Sequence, residues 1–157
     1  MSERDKLIAV DLDEGSLAAA SANAEHERRI AMFDLLESNS FAVEGQDRGP
    51  YKLRLSTEDG RLNMAVRDEA DADVFTHPLS LAPFRRLIKD YFMICESYYA
   101  AIRDATPMQI EAIDMGRRGL HNEGAETLTK ALAGKFAVDF ETSRRLFTLI
   151  CALHVRN

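Results

Sequence analysis

One eleven-residue stretch concentrates the side chains that could do chemistry: Asp114-Met115-Gly116-Arg117-Arg118-Gly119-Leu120-His121-Asn122-Glu123-Gly124. On a continuous helix, Asp114 would meet Arg118 and Arg117 would approach His121, both at a spacing of four residues. If the glycines break the helix, the second segment would offer free N–H groups at Asn122 to Gly124. Those donors, beside Arg117 or Arg118, would suit an anion. His121 is then the natural proton carrier, with Glu123 or Asp114 as its partner. The plainer reading is a kinked helix junction, in which glycine permits close packing and the polar residues cap the ends. The glycine spacing does not match a phosphate-binding Walker loop, and no nucleophile elbow is present.

Two other groups invite a functional reading and have simpler ones. Lys52, Arg54, Arg61 and Arg67 alternate with apolar residues, so they share the outer face of a hairpin. There they could contact phosphates, but such residues more often keep a sheet edge soluble and pair with acids such as Glu58 and Asp68. Phe84, Tyr91, Phe92, Tyr98 and Tyr99 recur at helical spacing, which reads as core with tyrosine hydroxyls reaching partners at its edge. Cys95 and Cys151 each interrupt an apolar helical face and are expected to be shielded, reduced thiols. Neither cysteine has a histidine or cysteine at metal-ligand spacing, and His26, His77, His121 and His154 are scattered, so no metal site and no cofactor is expected.

These residues need elements to position them. Lys6 to Asp13 alternates with Ile8, Val10 and Leu12 on one face, a strand pattern. The small residues Gly15 to Ala24 follow, and Ala24 to Ser38 reads as a helix with Ile30, Phe33 and Leu36 spaced by threes. Tyr51, Leu53 and Leu55 alternate with polar residues, as do Leu62, Met64 and Val66. Glu58-Asp59-Gly60 between them predicts a bulged type I turn in which Leu55 faces Leu62, Leu53 faces Met64 and Tyr51 faces Val66. Val74 to His77 predicts a third strand. The period then changes to that of a helix, from about Ser80 to Arg103, apolar over more than half its circumference and expected to be the centre of the fold. Thr106-Pro107-Met108-Gln109 carries a capping-box signature. Asn122 could cap a further segment ending at Gly134, Lys135 to Asp139 reads as a short strand, and Asp139 caps a last helix bearing Leu146, Phe147, Ile150 and Leu153.

Composition bounds what the chain can be. Its 157 residues suit one domain, 1–157, without a linker or internal repeat. With 46% hydrophobic residues and no apolar run long enough to span a bilayer, membrane insertion is not expected, and the charged N-terminus predicts a cytoplasmic address. A net charge of −6 argues against nucleic acid as a partner. Arginine supplies 15 of the 20 positive charges, with doublets at Arg28-Arg29, Arg85-Arg86, Arg117-Arg118 and Arg144-Arg145. Arginine is the better residue for bidentate carboxylate or phosphate contacts, although surface pairing with the 26 acids would also account for the doublets.

Several stretches together resemble an uncharacterised bacterial protein family. They are Ser80-Leu81-Ala82-Pro83-Phe84-Arg85-Arg86, Ile94-Cys95-Glu96-Ser97-Tyr98-Tyr99, Ile110 to Gly124, and Val138-Asp139-Phe140 through Leu149-Ile150-Cys151. The resemblance covers nearly the whole chain. It implies a single-domain bacterial cytoplasmic protein and brings no activity, ligand or catalytic residue with it. The expected fold is α+β, with a small antiparallel sheet (a hairpin-based meander plus the N-terminal strand) packed on a bundle of about four to five helices. The expected function is non-enzymatic binding or regulation, directed at another protein or a small anionic ligand through Arg117, Arg118 and Asn122. The alternative is an enzyme acting on a phosphate- or carboxylate-bearing small molecule. His121 would be its acid/base, with Glu123 or Asp114 assisting and Arg117 and Arg118 binding the anion.

Overall fold

The structure is a computed structural model, and it describes residues 3–13 and 22–153. The small-residue stretch from Gly15 falls largely outside those residues, and so does His154. The elements run β1 (Leu7–Leu12), α1 (Ala22–Glu37), β2 (Phe41–Val43), β3 (Tyr51–Glu58), β4 (Arg61–Asp68), β5 (Asp73–Ser80), a 3-10 turn (Ala82–Phe84), α2 (Arg85–Asp104), α3 (Pro107–Leu132), β6 (Phe136–Val138) and α4 (Phe140–Leu153). The fold is α+β, a four-stranded sheet and a two-stranded one with four α-helices among the described residues.

The main sheet has the order β1-β3-β4-β5. Its last three strands form the expected antiparallel meander, but β1 lies parallel to β3, so the sheet is mixed. Parallel neighbours need a crossover of a dozen or more residues, and α1 lies within it. β1 also departs from simple alternation. Its register shifts between Leu7 and Ala9, so Leu7 and Leu12 are buried while Ile8 is 37% exposed. The 3-residue strands β2 and β6 pair antiparallel, matching Phe41 with Val138 and Val43 with Phe136.

The β3–β4 hairpin corrects the expected register. Leu55 faces Met64, Leu53 faces Val66 and Tyr51 faces Asp68, two residues from the sequence reading. The cause is the turn: Asp59 and Gly60 both take positive φ, 52° and 75°, a two-residue connection of type I′ whose twist matches that of the strands. Because side chains alternate with period two, a shift of two leaves every residue on its original face. Tyr51, Leu53, Leu55, Leu62, Met64 and Val66 are all buried together. On the outer face the basic residues meet acids, though not the expected ones: Lys52 pairs with Asp71, Arg54 with Asp11 and Asp13, and Arg67 with Asp73. β5 extends three residues beyond the expected end, through Pro78, which an edge strand tolerates because it lacks only a donor.

Helix α4, rather than α2, occupies the centre. Every residue from Leu146 to Leu153 is buried, whereas the second half of α2 surfaces, with Ile102 49% exposed. Asp139 caps α4 through a 2.8 Å bond accepted from the Thr142 N–H. The long helix α3 begins with the expected capping box: Thr106 accepts from the Gln109 N–H while the Gln109 side chain accepts from the Thr106 N–H. It then runs unbroken for 26 residues, so Asn122 lies mid-helix and caps nothing. The helix tolerates its three glycines because two of them replace bulk. A Cβ on Gly116 would come within 2.6 Å of the Ile94 side chain, and one on Gly124 within 2.6 Å of the Phe147 ring. Gly119 faces open space. Both cysteines are buried free thiols, and burial raises the pKa of Cys95 to about 11.

The two glycine environments give opposite expectations for alanine. At Gly119 the only change is helix propensity, and Gly119→Ala should stabilise the protein by up to ~1 kcal/mol. At Gly124 the same gain is outweighed by a clash with a ring fixed in the core, a net loss of about 1–2 kcal/mol. Chemical-denaturation midpoints that move the same way in both variants would contradict this packing.

Candidate functional site

The row of α1 that turns inward is Glu27, Ala31 and Leu35, whereas Ile30, Phe33 and Leu36 are 43%, 64% and 41% exposed. Apolar spacing alone would favour burying the latter three. The reversal has a cause in the helices opposite. Glu27 is only 9% exposed, and its carboxylate accepts hydrogen bonds from the Tyr91 hydroxyl at 2.9 Å, the Tyr99 hydroxyl at 2.5 Å and Arg117 Nη1 at 3.0 Å. Tyr91 and Tyr99 lie two turns apart on α2, and Arg117 comes from α3. A buried charge is tolerated only when paired and hydrogen-bonded, and this one is satisfied on both oxygens. Arg117 is further held by Asp114, at 3.1 Å, and its guanidinium lies 4.4 Å over the ring of Tyr98. Burial opposes the charge on Arg117, but the Glu27 and Asp114 carboxylates outweigh it and raise its pKa. Desolvation, with the nearby Cys95 and Glu27, pushes the Tyr91 hydroxyl far above its usual range, so it stays protonated and donates to Glu27.

One turn beyond Arg117, His121 stacks on Tyr91 with ring centroids 4.9 Å apart. Its Nδ1 is 3.5 Å from Arg144 Nη2 and its Nε2 is 3.4 Å from Thr148 Oγ1, both on α4. A guanidinium can only donate, so Nδ1 accepts and Nε2 carries the proton. Thr148 then accepts from His121 and donates to the Arg144 carbonyl at 3.3 Å. Burial, then the charges of Arg144 and Arg117, lower the pKa of His121 to about 4, so the ring is neutral at physiological pH.

His121 forms the floor of a cleft of about 160 Å³ between α1, α3 and α4. Asp34 and Ile30 stand on one wall, with Arg144, Arg145 and Glu141 on the other. The two arginines are loosely held. Arg144 reaches Glu141 at 3.4 Å, Arg145 reaches the Ser38 carbonyl at 3.3 Å and Glu141 at 3.8 Å, and Arg144 Nε is buried without a hydrogen-bond partner. Arg117 has shorter contacts, 3.0 and 3.1 Å, its Nε is likewise buried without a partner, and it does not line the cleft. The donor capacity facing the cleft therefore belongs to Arg144 and Arg145.

The residues singled out in the sequence separate accordingly. Asp114 pairs with Arg117 and Arg118 and does not touch His121. Glu123 pairs with Arg86 of α2, away from the histidine. Arg118 and Asn122 are exposed on a continuous helix, with no free N–H groups between them and Gly124 to complete an anion site. Sequence reasoning missed Glu27, one of four acids in a weakly amphipathic helix that carries no local signal of its destination. It noted the Arg144-Arg145 doublet without assigning it; Thr148, four residues past Arg144, was the available clue. Among the described residues no three His, Cys, Asp or Glu side chains gather to hold a metal ion, and no helix is long and apolar enough to cross a membrane.

Fold and cleft together define an α+β protein with a small arginine-lined pocket on its helical side. The chain belongs to UPF0262, an uncharacterised protein family whose pattern it matches over residues 4–156. It is 60% identical to a UPF0262 protein of Hyphomonas neptunium over 95% of this chain and 92% of that protein. A relative in Agrobacterium fabrum is 58% identical over 96% of both chains, and one in Brucella anthropi is 60% identical over 96% of this chain and 94% of its own. No solved structure matches.

Two expectations follow from the site. Removing the Glu27 carboxylate strands Arg117 and two buried hydroxyls, so Glu27→Ala should cost about 2–4 kcal/mol, and Glu27→Gln less. Unchanged denaturation midpoints would show the cluster to be energetically idle. For His121, the folded pKa of about 4 lies below the ordinary imidazole value of 6.5. The unfolded chain therefore takes up a proton that the native state refuses. This contribution to stability is complete above pH 6.5 and is lost as the pH falls towards 4. The stability difference between wild type and His121→Gln should shrink by about 1–2 kcal/mol between pH 7 and 5. An NMR titration of His121 with a midpoint above 6 would refute this.

Proposed function

We propose that the protein is a single-domain cytoplasmic binding protein that takes a compact anion, a carboxylate or phosphate group, into the cleft between α1, α3 and α4. The observation that carries this reading is the pair of guanidiniums on one wall of the cleft, Arg144 and Arg145, whose contacts with Glu141 are long, 3.4 and 3.8 Å. Arginine presents a planar fork matched to such groups. Thr148 lines the cleft beside them, its hydroxyl engaged with His121 and the Arg144 carbonyl. The volume of about 160 Å³ admits a small ligand and not a drug-sized one. Asp34 and Glu141 on the walls offset the arginine charge, which disfavours an extended polyanion such as nucleic acid.

An acid–base role for His121 draws less support. A general base works best with a pKa near the operating pH, and burial beside two guanidiniums holds this ring near 4 without a carboxylate partner. A neutral imidazole so placed is suited to lining a pocket.

Thermal denaturation at constant ionic strength tests the proposal. At a hundred times its dissociation constant, a bound anion adds ~2.7 kcal/mol, several degrees for a domain of this size. Phosphate, sulfate, acetate or malonate should raise the melting temperature above a chloride control, and Arg144→Gln with Arg145→Gln should abolish the shift while the free variant stays folded. The same shift in the double variant, or none of these anions stabilising the wild type, would end the proposal.

A further inference from the structure

We propose that α1 is a self-association surface, on which two copies of this chain pack antiparallel about a twofold axis near Phe33. The docking of α1 through Glu27, Ala31 and Leu35 turns an apolar stripe outward. Phe33 is 64% exposed, Ile30 43% and Leu36 41%. The stripe continues onto the sheet edge, where Ile8, 37% exposed, shares a groove with Leu36. Large apolar side chains scattered singly are ordinary; four of them contiguous on one side mark an interaction face.

The charges flanking the stripe identify its occupant. Arg29 lies four residues before Phe33 and Glu37 four residues after it, so all three fall within about 80° of helix circumference. Arg29 and Glu37 are both exposed, and neither takes part in the described ion pairs. They are separated by ~12 Å along the axis. In an antiparallel pair centred on Phe33, Arg29 of each copy meets Glu37 of the other, twice over, and the phenylalanines meet at the axis. A parallel pair would set Arg29 against Arg29 and Glu37 against Glu37, which like-charge repulsion disfavours. A surface whose charges complement themselves under a twofold rotation is an isologous interface. One helix with a flanking strand edge is smaller than an obligate interface, so the dimer is weak, in the micromolar range.

Sedimentation equilibrium from ~1 to ~200 µM tests this, the range bracketing the micromolar affinity expected of so small an interface. The wild-type mass should rise with concentration from 17.6 kDa towards twice that value. Phe33→Ser, at an exposed position, should keep the melting temperature of the dilute protein and raise the dimer dissociation constant ~10-fold or more. Arg29→Glu and Glu37→Arg should each weaken the homodimer ~3–10-fold, and an equimolar mixture of the two should recover wild-type affinity as a heterodimer, because both cross pairs are then opposite in sign. A wild type that stays monomeric throughout, or a dimer indifferent to Phe33→Ser and to both charge reversals, would overturn the proposal. The measurement is made without added anion, and none of the substituted residues lines the cleft, so its outcome is separable from that of the anion proposal.

Discussion

A carboxylate inside a helical layer must find donors for both oxygens, and Glu27 finds three, from two different helices. Tyr91 and Tyr99 anchor it to α2 and Arg117 anchors it to α3, while Ala31 and Leu35 lie on the same buried face of α1. This one group sets the rotation of α1 about its own axis. An apolar residue at position 27 would release that constraint, and the helix could then bury Ile30 and Phe33, as its hydrophobic pattern alone would favour. Ion pairs of this kind contribute less to net stability than to selecting one arrangement over its competitors, since desolvation consumes much of the attraction. Here the competing arrangement is a helix rolled by roughly half a turn.

Fixing α1 in this way also distributes the cations. Arg117 is occupied by Glu27, Asp114 and the face of Tyr98, so its charge is compensated within the protein. Arg144 and Arg145, on α4 opposite the histidine, have only long contacts, with Glu141, His121 and a carbonyl. Arg117 and the Arg144-Arg145 doublet have opposite consequences: the first is built into the interior, and the second lines a cleft. His121 sits between them and, being neutral, adds no third positive charge to a crowded corner.

Much of the frame was legible because local rules governed it. Alternation gave the hairpin faces, the Thr106 to Gln109 signature gave the start of α3, and Asp139 gave that of α4. Where reading failed, a longer-range force had overridden the local pattern. The hairpin register slipped by two because Asp59 as well as Gly60 accepts positive φ, which alternation does not report. The break expected in α3 did not occur, because Gly116 and Gly124 serve Ile94 and Phe147 on neighbouring helices instead of a turn. The strand β2 was missed because three residues are too few to show a period, and only its pairing with β6 reveals it. The inward face of α1 was not legible, because periodicity weighs Ile30 and Phe33 without knowing that two tyrosines and an arginine await Glu27. The cleft was not legible for the same reason, since α1 in its observed rotation supplies one of its walls.

That rotation joins the two surfaces of α1 physically. Ile30 stands on the wall of the cleft and is also part of the exposed stripe, with Asp34 one turn further along the same wall. A side chain shared by two surfaces cannot be repacked for one without being felt at the other, because it has few rotamers and close neighbours on both sides. Any free energy that couples occupancy of the cleft to packing on the stripe must act equally in both directions. The glutamate that holds α1 in place therefore governs more than the stability of one helix. By presenting Ile30 at the boundary, it makes the rigid body of α1 the shared wall between an arginine-lined pocket and an apolar face.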